Sequence, residues 1–182
     1  MMDAMANLTQ GQIIVIALRL VIPLMILWRP LSGSIIAMAL DAFDVVIVEF
    51  FGPGGMGDHY HNIDKVLDIY YLSLQAFVAW KWWTHQRLRM VALVLFFYRL
   101  VGVIVFEFTG WRPTMFVFPN LFEHWFLFVL IKNRFFPDLK VESWKQIAGW
   151  LVILYIPKFI QEYILHVAQA QPWGWIKEQL GL

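Results

Sequence analysis

The sequence predicts an all-α polytopic membrane protein. Six transmembrane helices and a short C-terminal interfacial helix form one domain over residues 1–182. Three observations lead there. Of the residues, 60% are hydrophobic and only 15% are charged, against about 45–50% and about 25% in a soluble domain. The mean hydropathy is +0.64. Six runs approach the roughly 20 apolar residues that a ~30 Å hydrocarbon core demands. These runs are apolar on most faces, whereas barrel strands would alternate.

The first apolar segment runs from Gln12 to Trp28. The preceding MMDAMANLTQGQ has no basic n-region and no A-x-A-like site, so this segment is expected to persist in the mature protein. The second runs from Leu31 to Phe51, followed by the stretch GPGGMGDHYHNI, glycine-rich enough to bend tightly. The third spans Asp64 to Trp83, the fourth Leu88 to Thr109, the fifth Thr114 to Ile131 and the sixth Gln146 to Val167. Pro23, Pro119 and Pro157 fall inside these segments and are expected to kink them. The tail AQAQPWGWIKEQLGL reads as the interfacial helix, anchored by Trp173 and Trp175. Trp28, Trp111 and the WKWW from Trp80 to Trp83 fit aromatic belts at the membrane–water boundaries. No internal repeat is present.

Six spans put both termini and the glycine-rich stretch on one side. Lys65, Arg112 and Lys177 are the basic residues there. The other side holds Arg29, Lys81, Arg87, Arg89, Lys132, Arg134, Lys140 and Lys145. Cytoplasmic loops collect Lys and Arg, so the termini are expected outside. The expected location is a bacterial inner (plasma) membrane, with membrane lipid as a partner. A formal net charge of +1, with no basic stripe, implies no nucleic-acid partner. The absence of cysteine excludes disulfides and thiolate chemistry.

Ionisable residues inside a bilayer are costly, and this chain has many. Arg19 lies in the first segment; Asp41, Asp44 and Glu49 in the second; Asp64 and Asp68 in the third. Arg99 and Glu107 follow in the fourth, Glu123 and His124 in the fifth, and Lys158, Glu162 and His166 in the sixth. They must face one another or a wet cavity. Asp41 and Asp44 share a helix face, as do Asp64 and Asp68. The turn between the two helices lets all four acids converge. Three arrangements satisfy them. One is a divalent cation, for which oxygen-only ligands favour Mg²⁺, Mn²⁺ or Ca²⁺. The second is an ion-pair network with Arg19, Arg99 and Lys158. The third is a proton or ion path.

The stretch also resembles the signature of the CDP-alcohol phosphatidyltransferase family, six-helix membrane enzymes with the motif D-x2-D-G-x2-A-R and, further on, G-x3-D-x3-D. Asp41-x2-Asp44 and Asp64-x3-Asp68 match its aspartates. NLT at Asn7 to Thr9 and RLVIP at Arg19 to Pro23 resemble the family's first-helix opening. The resemblance implies transfer of a phosphatidyl-type group from a CDP-linked donor to an alcohol, in phospholipid synthesis. It implies Mg²⁺ or Mn²⁺ held by Asp41, Asp44, Asp64 and Asp68, with Asp68 as the catalytic base. The family's glycines and its Ala-Arg are replaced by Val45, Tyr60 and Val48-Glu49. These departures define an alternative: the same fold, its nucleotide pocket lost, as a non-catalytic subunit of a larger complex with a protein or lipid partner. A homodimer is the other assembly expected. A proton- or ion-coupled transporter using the buried acids with Arg99, His124 and Lys158 is a further alternative.

Two smaller constellations remain. Asp58, His59 and His61 sit in the glycine-rich stretch, where Zn²⁺ or Cu²⁺ ligation competes with ordinary loop histidines. Glu123 and His124 suit either a proton relay or a packed, hydrogen-bonded pair. No P-loop, G-x-S-x-G, H-E-x-x-H or dinucleotide fingerprint occurs.

Overall fold

The structure is a computed structural model that describes residues 9–51, 58–111 and 113–163. The expected C-terminal interfacial helix and the end of the sixth span lie outside the described residues, as does His166. The described residues are helical, with no strand among them.

Helix α1 (Gln10–Val21) runs into a 3₁₀ segment (Ile22–Leu27). Thr9 and Gln12 start α1 with a capping box, the Thr9 hydroxyl accepting from Gln12 N and the Gln12 side chain from Thr9 N. Pro23 has no N–H to give an α-helical ladder, and the chain tightens into 3₁₀ geometry around it. Helix α2 covers Pro30–Phe51, α3 Asp58–Trp82 and α4 Gln86–Thr109. Gly110, at φ 63°, caps α4 in the left-handed region. Then come α5 (Pro113–Val117), α6 (Leu121–Phe135) and α7 (Trp144–Glu162), the last opened by a Ser143–Gln146 capping box.

Two expectations are corrected. The third helix begins at Asp58 rather than Asp64, so Asp58, His59 and His61 belong to its first turn and not to a loop. The fifth segment is not one kinked helix but two, broken at residues 118–120. Pro119 is the cause: it lacks an N–H and its ring disfavours a helical conformation at Phe118. The break is stabilised from α4. Tyr98 Oη donates to Val117 O at 2.7 Å, and Arg99 Nη1 to Phe118 O at 2.9 Å. Gly102 leaves the space that Phe118 occupies, since a Cβ there would overlap the Phe118 side chain.

The main core lies where α3, α4 and α6 meet the 3₁₀ segment, around Ile26, Leu72, Val78, Phe122, Trp125 and Phe126. Trp83 belongs to this core rather than to a surface belt. It is 8% exposed and stacks on Phe126 at 5.4 Å. Trp28, Trp80, Trp82 and Trp111 do lie on the surface. A smaller contact joins α1 and α2 at Val15 and Val48. There Gly11 permits close approach, because a Cβ would stand 2.6 Å from the Val48 carbonyl oxygen. Among the described residues, two stretches are long and apolar enough to cross a membrane, Gln10–Leu27 and Gln86–Thr109.

Candidate functional site

Arg19 gathers the four aspartates. It lies in the last turn of α1, 4% exposed, facing α2 and α3. Its Nη1 donates to Asp44 Oδ2 at 2.8 Å and to Asp64 Oδ1. Its Nη2 meets Asp41 Oδ1 at 2.5 Å and Asp68 Oδ1 at 2.5 Å. Local geometry explains the convergence. Asp41 and Asp44 are one turn apart on α2, and Asp64 and Asp68 one turn apart on α3, so each pair shares a face. Tyr70 Oη donates to Leu20 O at 3.0 Å, which ties α3 to α1 beside the arginine. A guanidinium is planar, with donors on two adjacent nitrogens, and can serve several carboxylates at once.

The burial is graded. The Asp44 side chain is 7% exposed, but those of Asp64, Asp68 and Asp41 are 31%, 36% and 43% exposed. The cluster is therefore sealed on the Asp44 side and open on the other. Four carboxylates thus surround one guanidinium. Two further buried cations act on the cluster from outside: Arg99 of α4 attracts Asp68, and Lys158 of α7 attracts Asp41.

The donor set fits a hard divalent cation. One oxygen each from Asp41, Asp44 and Asp64 lies within 4.8 Å of the others, and all-carboxylate ligation suits Mg²⁺ or Mn²⁺. Asp68 is not in that triplet; it stands beside Asp41 and Arg19. Val48 is fully buried in the α1–α2 seam beside Val15. Glu123 is buried at the start of α6 and accepts from Asn120 Nδ2 at 3.2 Å. The side chains of Glu49, Asp58, His59, Tyr60 and His61 lie outside the described residues.

Arg19 is legible in the sequence as a neutralising cation. Its position at the hub of all four acids is not, because that depends on how α1 packs across α2 and α3. Set against protein-family models, curated proteins and solved structures, the chain gives no match.

Proposed function

We propose that this chain is a six-span membrane protein of the CDP-alcohol phosphatidyltransferase type, transferring a phosphatidyl-type group to an alcohol at the aspartate cluster. The observation that carries this reading is the convergence of Asp41, Asp44, Asp64 and Asp68 on one point that is open on one side. Embedding in a bilayer is supported by outward-facing apolar side chains such as Phe108, Trp28, Val66 and Val21, which are 87%, 74%, 68% and 65% exposed. Such a surface is unusual on a soluble monomer. Helices α2, α3 and α4 have 22, 25 and 24 residues, enough for a ~30 Å core at ~1.5 Å per residue.

In this reading Asp41, Asp44 and Asp64 would hold Mg²⁺ or Mn²⁺, which would supply charge stabilisation on the transferring phosphoryl oxygens. Arg19 fixes the four carboxylates relative to one another and limits their mutual repulsion. Asp68, at the open side, takes the proton of the acceptor hydroxyl as its oxygen attacks the donor phosphorus. The bond from that phosphorus to the nucleotide-side oxygen breaks, and CMP leaves.

One observation favours a second reading, a non-catalytic membrane subunit. Arg19 pairs with all four acids and so supplies compensation without any metal. Elemental analysis of purified wild type against an Asp41→Asn/Asp68→Asn variant decides between them. The enzyme reading expects about one or two Mg²⁺ or Mn²⁺ per chain, lost in the variant, and thermal protection by a CDP-linked donor. A metal-free wild type indifferent to the donor defeats that reading in favour of the subunit.

A further inference from the structure

A groove of about 410 Å³ runs between α3 and α4 on their outward side. Helical spacing builds it. Ser73, Ala76, Phe77 and Trp80 share a face of α3, and Phe96 and Phe97 meet them from α4. Ala76 ends at its Cβ, is 6% exposed and makes the floor. Phe77, Trp80 and Phe97 are 46%, 56% and 57% exposed and make the rims. The rings hold one another in place. Phe77 meets Trp80 edge-on at 6.2 Å, and Phe96 meets Phe97 at 5.4 Å and the core residue Phe122 at 5.5 Å.

The walls suit hydrocarbon. The Ser73 hydroxyl is already committed, donating to Ile69 O at 2.6 Å. The remaining side-chain donor is the Trp80 indole N–H, at one end. That end has a direction. α3 runs from the aspartates toward the α3–α4 turn, so Ser73 is the inner end and Trp80, about 10 Å further along, is the mouth. Past the mouth, Lys81 follows Phe77 by one turn on α3, and Arg89 precedes Leu93 of the α4 wall by one turn. Neither cation has a carboxylate partner among the described residues. An apolar slot, a tryptophan at its mouth and cations just beyond follow the order of tail, interface and headgroup in a lipid leaflet.

We propose that the α3–α4 groove holds one acyl chain of an anionic phospholipid, whose phosphate sits at Lys81 and Arg89. An acyl chain needs no hydrogen bond and gains dispersion contacts against rings that are fixed beforehand. Lipid tails resemble one another, so the choice among lipids falls to the charge of the headgroup. The mouth lies at the opposite end of α3 from Asp64 and Asp68, so this lipid is distinct from any that reacts there. The site presupposes the bilayer setting proposed above and is independent of the reaction.

The test is native mass spectrometry of the full-length protein, extracted in detergent and given phosphatidylglycerol or phosphatidylcholine. Ser73→Trp fills the groove from an exposed position, and Phe97→Ala removes a rim. Val152→Trp adds the same bulk at a 61% exposed site on α7, outside the groove. Wild type and Val152→Trp are expected to retain one phosphatidylglycerol per chain in preference to phosphatidylcholine. Ser73→Trp and Phe97→Ala are expected to retain about tenfold less. Arg89→Gln is expected to lower the preference for the anionic lipid about fivefold. Equal retention of the two lipids by wild type overturns the proposal. So does retention that neither groove variant reduces, or a photoreactive group at Phe77 that captures protein instead of lipid. A chain recovered without detergent defeats the bilayer setting itself, whereas a detergent-extracted chain that keeps no lipid defeats only the groove.

Discussion

Arg19 Nη1 donates to Asp44 Oδ2 at 2.8 Å across the α1–α2 seam, with the two side chains only 4% and 7% exposed. Of the four aspartates around the guanidinium, Asp44 is the one most withdrawn from solvent. Arg19 keeps its other three carboxylates when Asp44 is changed, so what is lost is one buried charge-assisted hydrogen bond, worth about 1.5–3 kcal/mol. Asp44→Asn is therefore expected to lower Tm clearly. Asp41→Asn, at a 43% exposed side chain, is expected to cost about 1 kcal/mol or less. Thermal denaturation in detergent ranks the two, and an equal loss would contradict the graded burial.

The pair Lys65–Glu107 is a contrasting case. It joins α3 and α4 at 2.6 Å, but the side chains are 27% and 49% exposed, and Lys65 also rests 4.4 Å from the Phe106 ring centroid. Exposed pairs are worth about 0–1 kcal/mol. Glu107→Gln is expected to leave Tm nearly unchanged, as a melting curve in detergent will show.

Gln75 is fully buried on α3, and neither amide atom has a partner. An unsatisfied buried amide costs about 1–3 kcal/mol, and an apolar residue of similar size avoids that cost. Gln75→Leu is expected to raise Tm. A fall would mean that the amide meets a polar group when the protein is in its membrane.

Gly11 lies where α1 packs against α2, with any Cβ directed at the Val48 carbonyl oxygen. Backbone cannot yield as a flexible side chain does. Gly11→Ala is expected to destabilise by about 1–3 kcal/mol, despite alanine's better helix propensity. Because α1 carries Arg19, the same change is expected to weaken Mn²⁺ binding, measurable by titration. Unchanged stability and binding would show that the seam is more compliant than its geometry suggests.

Asp68 tests the enzyme reading without first breaking the fold. Its side chain is 36% exposed and lies outside the Asp41–Asp44–Asp64 oxygen triplet. If it removes the acceptor proton, Asp68→Asn lowers kcat about 10²-fold or more while Tm and Mn²⁺ binding stay near wild type. A parallel loss of metal would make Asp68 a ligand instead.

Composition and spacing alone determined that the chain is helical and apolar, and that its acids must be brought together. The pairs Asp41/Asp44 and Asp64/Asp68 could be read because a helix puts residues three or four apart on one face, whatever surrounds it. The start of α3 was harder. Glycines upstream suggested a loop through His61, but Asp58 to His61 carry nothing that prevents a helical turn, and the structure continues the helix over them. Pro119 announced a distortion. That it became a full break depended on Tyr98, Arg99 and Gly102 of a neighbouring helix. The tertiary structure alone decided that one arginine meets all four aspartates, and that Trp83 turns inward onto Phe126. Both follow from how separate helices cross, and local spacing in the sequence does not encode those crossings.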